Sequence, residues 1–316
     1  MRRSPFSFAD QYVLPGHSKR IEIPVARDAL GAQFGLQVVV IHGRHPGPTM
    51  WVNGGLHGDE IAGIHIAGRL LTRVNPRTLR GTLLVVPVVN VFGVMNQTRY
   101  LPDRRDLNRS FPGSQRGSLA ARIAHLFLQL VVQPCDYGVD LHTAGSGRRN
   151  LPQVRVSFAR EEAVEIARAF GPEVILDSQM RDGSLRAAAT QMGKLVLVYE
   201  AGETLRAEEE VVGRGLDGIR RVMHRLGMVD EAPPPPEKEA LLCQTSQWVR
   251  AGRSGLANYM AELGDTVEKG QVLAVITDAF QTARVRVRAP DDGVVIGRAT
   301  GGLVTRGDAL YHLART

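Results

Sequence analysis

Short apolar runs alternate with helical patterns throughout residues 1–230, and this order leaves few folds open. The apolar runs occupy residues 36–43, 49–55, 81–90, 136–143 and 193–202. Such runs are typical of strands that are buried on both faces of a sheet. Apolar residues at helical spacing occupy residues 58–74, 117–132, 160–171 and 207–228. The alternation predicts an α/β fold, with a mixed or mostly parallel sheet flanked by helices.

A proline-rich segment, EAPPPPEKEA at residues 231–240, ends this pattern. Proline has no backbone N–H group, and consecutive prolines favour a stiff, extended chain, so we predict a linker here. The following residues, 241–316, contain short strand-like runs between glycines, with almost no helical spacing. They predict a small all-β domain, separate from a large domain at residues 1–230.

The C-terminal region contains a short internal repeat, in which the pattern of GDTVEKGQVL at residues 264–273 returns as GLVTRGDAL at residues 302–310. In this repeat the region resembles biotinyl and lipoyl carrier domains, which have the barrel-sandwich hybrid fold. Those carriers need an exposed lysine for modification, whereas residues 276–290, ITDAFQTARVRVRAP, contain none. The resemblance therefore implies a barrel-sandwich-like domain without the covalent cofactor.

The formal net charge of +7 raises the question of a polyanionic partner. The 39 basic residues are scattered along the whole chain, however, and do not form the basic stripe of a nucleic-acid-binding protein. The two cysteines have no metal-type spacing, and no apolar stretch approaches the roughly 18–20 residues of a membrane span. We expect a cytoplasmic protein without nucleic-acid or membrane partners, and the sequence is compatible with a homo-oligomer.

Residues 53–60 read NGGLHGDE and place His57 and Glu60 three residues apart. The pair lies between a predicted strand and a predicted helix, where a tight turn brings both side chains to one side. Catalytic zinc takes three protein ligands, drawn from histidine and carboxylate, and keeps a fourth position for water. Alone, the pair is more simply read as a loop histidine and a favourable acid in the first turn of a helix.

Two further segments favour the metal site. DLHT, at residues 140–143, places His142 at the carboxyl end of an apolar strand, where α/β sheets carry their functional sites. Asp140 either orients this imidazole or, by strand alternation, points away from it. RYLPDRRDLNRSFPG, at residues 99–113, is a loop rich in arginine, whose planar guanidinium matches a carboxylate. Together the segments predict a three-ligand metal site beside a pocket for an anionic substrate.

Four motifs, GLHGDE, DLNRSFPG, DLHT and VYEAGE, occur in this order between about residues 40 and 230. In this the chain resembles the succinylglutamate desuccinylase and aspartoacylase family, whose fold is that of the zinc carboxypeptidases. The resemblance implies one Zn²⁺ ion per chain, with His57, Glu60 and His142 as its ligands. It also implies that Glu200 is the catalytic carboxylate that acts on water. If the strand ends near Tyr199, Glu200 points into the site and Glu203 belongs to the following loop.

The resemblance assigns further roles to the arginine-rich loop. Asn108 and Arg109 match the pair that binds the substrate carboxylate. Arg99 resembles the arginine that polarises the scissile carbonyl, although Arg104 and Arg105 compete for that role because the length of the loop varies.

Two more arginines are candidates for substrate binding. Arg105 belongs to the loop just described, and Arg148 or Arg149 follows His142 closely enough to meet a second carboxylate.

The family implies a zinc hydrolase that cleaves the amide bond of a small N-acyl amino acid or a related N-acylated amine. A zinc carboxypeptidase that acts on peptides is one alternative. A non-catalytic binding protein on the same fold is another, although the presence of ligands, base and arginines together argues against it. The identity of the acyl group stays open, because the loops that line its pocket are not covered by any of the motifs.

Overall fold

The computed structural model describes residues 3–27 and 29–316. Its α-helices are Ile61–Leu71 (α1), Val91–Met95 (α2), Leu119–Leu126 (α3), Glu161–Phe170 (α4), Leu185–Gln191 (α5) and Glu209–Arg225 (α6). A 3₁₀ turn covers Leu107–Arg109, and a π-helical turn covers Phe127–Val132 directly after α3. The helices predicted from apolar spacing all form, whereas α2 and α5 were not predicted.

The strands fall into two groups along the chain. Those before the proline-rich segment are Phe6–Phe8 (β1), Gln11–Val13 (β2), His17–Arg27 (β3), Gln33–His42 (β4), His45–Asn53 (β5), Arg80–Val86 (β6), Tyr137–His142 (β7), Arg148–Val156 (β8), Val174–Asp177 (β9) and Leu195–Glu203 (β10). Those after it are Leu241–Cys243 (β11), Thr245–Arg250 (β12), Gly255–Tyr259 (β13), Thr266–Val267 (β14), Val272–Thr277 (β15), Arg284–Arg288 (β16), Gly293–Ala299 (β17), Leu303–Val304 (β18) and Ala309–Arg315 (β19).

A large mixed sheet forms the centre of the molecule, with the strand order β12, β19, β17, β8, β10, β7, β5, β6, β4, β3. β10, β7, β5 and β6 are parallel, whereas β8 runs antiparallel to β10 and β17, and β4 runs antiparallel to β3 and β6. β9 also belongs to this sheet and pairs in parallel with β8. The parallel strands end at the same edge of the sheet, so the residues that follow β5 and β7 meet there. The predicted mixed sheet flanked by helices is confirmed.

Each face of the sheet is covered by its own helices. In β5, Met50 and Val52 belong to the core that includes α1, α4 and α6, while Trp51 belongs to the core that includes α3, α5 and the π-helical turn. Successive strand residues point to opposite faces, which explains this division. Gly138 of the neighbouring β7 makes room for the Trp51 ring, because a Cβ there would lie 2.1 Å from Cζ2 of the indole.

The C-terminal region is all β and is joined to the large sheet by backbone hydrogen bonds. β11 pairs in parallel with β9, and β17 pairs antiparallel with β8. A second, four-stranded sheet of β16, β15, β13 and β18 completes the region around its own apolar core. Strands on both sides of the linker share one sheet, so the strand pairing does not divide the chain into separate domains. The domain boundaries at residues 1–230, 231–240 and 241–316 therefore stay a prediction.

A helix that crosses a membrane must be both long and apolar. None of the helices of residues 3–27 and 29–316 meets both requirements.

Candidate metal centre and active site

Three side chains converge at the carboxyl ends of β5 and β7. β5 ends at Asn53, and the turn after it carries His57 and then Glu60, the residue before α1. His142 is the last residue of β7, which pairs in parallel with β5. Candidate ligand atoms of His57, Glu60 and His142 all lie within 4.8 Å of one another. The structure thus brings together the three residues predicted as metal ligands, and the cluster could hold a metal ion.

The Glu60 carboxylate presents one oxygen to each imidazole. Oε1 lies 2.6 Å from Nδ1 of His57, and Oε2 lies 2.8 Å from Nδ1 of His142. All three side chains are buried. Two imidazole nitrogens and one carboxylate make a donor set that suits a divalent ion such as zinc.

A chain of buried hydrogen bonds holds His142 from its other side. Its Nε2 lies 2.9 Å from Oδ2 of Asp140, and Oδ1 of Asp140 accepts a hydrogen bond of 2.6 Å from Nδ2 of Asn53. Asn53 in turn accepts a hydrogen bond of 2.9 Å from Nε1 of Trp51. Residues 140 and 142 are two apart in a strand and so share a face. Of the two readings left open for Asp140, the structure therefore selects the one in which it orients the imidazole.

Asp106 holds the second imidazole and was not predicted. Its Oδ1 lies 3.1 Å from Nε2 of His57 and accepts a hydrogen bond of 2.8 Å from the backbone of Asn108. Its Oδ2 accepts two hydrogen bonds from Arg99, at 3.0 and 2.8 Å. The signal for this role was present as the first letter of DLNR, an acid at the N-cap of a short helical turn. Asp106 thus ties the arginine-rich loop to the metal cluster.

The cluster is arranged to keep Glu60 anionic. Burial raises the pKa of Glu60, but the imidazoles of His57 and His142 outweigh burial and hold that pKa well below its usual range. Burial lowers the pKa of His142, but Asp140 and Glu60 outweigh it and raise that pKa well above its ordinary value. A positive charge is therefore stabilised beside Glu60, and a divalent cation supplies such a charge. The residues present fit a metal ion.

The metal cluster opens into a cavity of about 710 Å³. Besides the three candidate ligands, the predicted site residues Arg99, Asn108, Arg109 and Glu200 line it. Arginine is the prevailing charged residue of the lining, at Arg99, Arg109, Arg148, Arg155, Arg181, Arg186 and Arg250, against four acids at Asp59, Glu60, Asp140 and Glu200. Glu60 and Asp140 already face imidazoles. The cavity is therefore suited to an anionic ligand.

Glu200 reaches this cavity from β10. It is the register partner of His142 in the parallel pair of β10 and β7, so both side chains lie on the same face of the sheet. The strand does not end near Tyr199, the condition under which Glu200 was placed in the site, because β10 continues to Glu203 with a register shift between Glu200 and Gly202. Glu200 lines the cavity nevertheless. The side chain of Glu203 does not line the cavity and pairs with Arg206 at 3.6 Å.

Asn108 and Arg109 reach the cavity from the 3₁₀ turn of the arginine-rich loop. The carbonyl oxygen of the Asn108 side chain accepts a hydrogen bond of 2.9 Å from the backbone N–H of Leu185, the first residue of α5. Arg99 lies deeper, with Nη1 3.3 Å from Oε1 of Glu60. The loop thus delivers one arginine to the metal cluster and a second one to the cavity wall.

The structure places two predicted substrate-binding arginines elsewhere. Arg105 is exposed, faces Asp103 at 4.0 Å and does not line the cavity, and Arg104 does not line it either. Arg149 forms an ion pair with Glu208 outside the cavity. Its neighbour Arg148 lines the cavity instead, because successive residues of β8 point to opposite faces. Neither Arg105 nor Arg149 is therefore placed to bind a ligand in the cavity.

Arg186 is a cavity residue that sequence reasoning missed. It is only 8% exposed, and its Nη2 donates to the carbonyl oxygens of Ser178 and Gln179 at 2.7 and 2.9 Å. Nη1 is buried and has no hydrogen-bond partner among the described residues. Burial lowers the pKa of Arg186 to about 10. Arg186 belongs to α5, and the sequence signal for this helix was Ser184, an N-cap residue before a run of helix-forming alanines.

The C-terminal region forms part of the cavity wall through Trp248, Arg250 and Ala309. The Trp248 ring stacks on His312 with 4.3 Å between ring centroids, and the guanidinium of Arg148 lies 5.2 Å from its centroid. The stack fixes Trp248 against the end of β8. The wall of the cavity is thus formed by residues from both sides of the linker.

Comparison with known proteins agrees with this geometry. The model of the succinylglutamate desuccinylase/aspartoacylase catalytic domain matches residues 46–226. The N-alpha-acetyl-L-2,4-diaminobutyric acid deacetylase of Halomonas elongata is 30% identical over 309 residues, which cover 93% of this chain and 90% of the deacetylase.

Solved structures are similar over nearly the whole chain. The succinylglutamate desuccinylase/aspartoacylase from Rhodobacter sphaeroides has a TM-score of 0.84 at 27% identity, covering 95% of each chain. The product-bound ectoine utilization protein EutE (DoeB) from Ruegeria pomeroyi has a TM-score of 0.86 at 25% identity, covering 99% of this chain and 98% of that one.

Fold, site and relatives together define the class of protein as an amide hydrolase. The chain belongs to the succinylglutamate desuccinylase/aspartoacylase family. The predicted family and enzyme class are confirmed.

Proposed function

We propose that the protein is a zinc-dependent deacylase that hydrolyses the amide bond of a small N-acyl amino acid. The observation that carries this proposal is the convergence of His57, Glu60 and His142 in a cavity that also holds Glu200 and an arginine-rich wall. Three protein ligands from histidine and carboxylate are the set that catalytic zinc uses while keeping a position for water.

Bound zinc supplies Lewis acidity, which polarises a carbonyl group and makes water acidic enough to react at neutral pH. Glu200 accepts a proton from the attacking water and returns it to the departing nitrogen. The water oxygen forms a bond to the carbonyl carbon, and the carbon–nitrogen bond breaks. The products are a carboxylic acid and a free amine.

Arg99 is placed to stabilise the negative charge that develops on the carbonyl oxygen. Its guanidinium is held by Asp106 and lies 3.3 Å from Glu60, beside the metal cluster. A donor that is already oriented costs no reorganisation when the charge appears. This contact with the cluster supports Arg99 over Arg104 and Arg105 for the role.

The free carboxylate of the substrate binds to Asn108 and Arg109 in this proposal. The hydrogen bond from Leu185 to the Asn108 oxygen orients the amide, so that its N–H₂ group is the end available to an anion. Arg109 adds a charged donor. Arg186 also lines the cavity and adds a further positive charge to this wall.

Arg109→Ala is expected to raise KM for an N-acyl amino acid about 10- to 100-fold, since a charged hydrogen bond contributes roughly 1.5–3 kcal/mol. Steady-state kinetics give this value. Arg105→Ala is the matched control, because Arg105 belongs to the same loop and lies outside the cavity. Equal KM values for the two variants would remove Arg109 from the binding set.

Asp140→Asn is expected to weaken zinc binding about 10- to 100-fold, because the amide keeps the size of the side chain but loses the charge that holds His142. Competition with a chromophoric chelator measures the affinity. Asp136→Asn is the control, since Asp136 precedes the same strand and accepts a hydrogen bond from Thr49 away from the cluster. A Kd for Asp140→Asn equal to that of the control would contradict the role.

A substrate panel tests the proposed function. The zinc-loaded protein is incubated with N-acetyl-2,4-diaminobutyrate, the substrate for which the Halomonas elongata relative is named, and with N-acetyl-aspartate, N-succinyl-glutamate and N-blocked dipeptides. Release of amine from one or more N-acyl amino acids supports the proposal and identifies the acyl group. Cleavage of the peptides alone favours a carboxypeptidase, and turnover of none favours a binding protein.

A further inference from the structure

Two side chains of β8 hold the Glu200 carboxylate. Nδ2 of Asn150 donates to Oε2 at 3.0 Å, and Nη1 of Arg155 lies 3.3 Å from Oε1. Asn150 is only 6% exposed and was not singled out by any motif. Both oxygens of the carboxylate thus have a partner on a neighbouring strand.

The C-terminal region fixes Asn150 from the other side. β8 lies between β10 and β17, and Asn150 is paired with Gly202 of the first and Gly297 of the second. A Cβ at Gly297 would lie 3.0 Å from Oδ1 of Asn150 and 3.1 Å from Cβ of His312, which is closer than such contacts normally are. Glycine at position 297 therefore leaves the space that the Asn150 amide occupies.

We propose that Asn150 is a positioning residue for Glu200, and that Gly297 of the C-terminal region keeps Asn150 in place. The inference rests on the proposed function, in which Glu200 is the base. A glutamate side chain has several rotatable bonds, and its carboxylate must lie within hydrogen-bond reach of the attacking water. Asn150 is a neutral donor, so it orients the carboxylate without forming an ion pair with it. The C-terminal β region thus helps to position Glu200, through the contact of Gly297 with Asn150.

Asn150→Ala is expected to lower kcat about 10-fold or more, because a small displacement of a catalytic group is costly. KM and bound zinc per chain are expected to stay within about twofold of the parent, since Asn150 is neither a ligand nor a partner of one. Asn150→Asp retains the size of the side chain, so it serves if the alanine variant does not fold. It should lose more activity, because a second carboxylate then faces Glu200.

Gly297→Ala tests the C-terminal contact. We expect an intermediate loss of kcat, because the added methyl displaces the Asn150 amide. In the double variant Asn150→Ala/Gly297→Ala, the loss should not exceed that of Asn150→Ala, since the two residues act through one contact. Thr300→Ala is the control. It removes the 3.2 Å hydrogen bond from Thr300 to Glu203, which joins the same two parts of the chain without touching Glu200.

Three results would overturn the inference. They are a kcat of Asn150→Ala within twofold of the parent, losses that add fully in the double variant, and a Thr300→Ala variant as slow as Gly297→Ala. Glu200→Ala is measured alongside them. If Glu200→Ala is inactive while Asn150→Ala is normal, only the positioning role fails. If Glu200→Ala retains the kcat of the parent, the proposed function fails with it.

Discussion

His142→Ala is expected to abolish stoichiometric zinc binding and to lower kcat/KM for the best N-acyl substrate by at least about 10³-fold. His142 offers its Nδ1 to the cluster at 2.8 Å from Glu60 and is held from behind by Asp140. Loss of a supporting partner alone typically costs about 10- to 100-fold in metal affinity or activity, so loss of a ligand should cost more. The variant also leaves one oxygen of the buried Glu60 without its imidazole partner, which further disfavours the site.

Elemental analysis of the dialysed protein gives zinc per chain, and steady-state kinetics give the loss of activity. His65→Ala is the matched control, because His65 is an exposed histidine on α1, the helix that follows the ligand-bearing turn. The control should retain about one zinc ion and the parent activity. A His142→Ala protein with a full complement of zinc and normal turnover would contradict the assignment of the metal centre.

Glu200→Gln is expected to lower kcat about 10²- to 10⁴-fold, the range by which general acid–base catalysis accelerates reactions. The amide has the size of the carboxylate and can still accept the hydrogen bond from Asn150, but it cannot accept the proton of water. Zinc should stay bound, since Glu200 does not belong to the three-residue cluster. Retention of metal with loss of turnover separates this variant from His142→Ala.

Glu203→Gln provides the comparison for the same chemical change. Glu203 lies on the same strand but pairs with Arg206 and does not line the cavity. Its substitution should leave kcat within about twofold of the parent, because Glu203 is outside the cavity and its partner Arg206 is exposed, so that the pair contributes little. If Glu203→Gln loses the activity and Glu200→Gln does not, the base has been assigned to the wrong carboxylate.

The parts of the fold that depend on local pattern could be predicted from the sequence. Buried strands contain apolar runs, and helices such as α6 carry apolar residues at helical spacing. His57, Glu60 and His142 could also be found, because metal ligands in α/β folds follow the ends of central strands. Their convergence required only that β5 and β7 be parallel neighbours.

The parts of the site that depend on strand alternation and long-range pairing could not be predicted. β8 carries arginines and an asparagine among its apolar residues, so it was not predicted as a strand. Without the strand, the sequence could not decide between Arg148, which lines the cavity, and Arg149, which does not. Asn150 meets Glu200 only because β8 pairs with β10. Arg186 meets the cavity only because α5 packs beside the loop of Asn108. None of these contacts leaves a periodic signal in the sequence.

Zinc titration of the metal-free protein is the most direct test of a zinc-dependent deacylase. Metal is removed with a chelator, zinc is added back in fractions of an equivalent, and release of amine from the best N-acyl amino acid of the panel is measured at each step. We expect no turnover without metal and a rise in turnover that ends at one zinc ion per chain. Full hydrolysis by the metal-free protein, or no hydrolysis of any N-acyl amino acid at one equivalent of zinc, would contradict it.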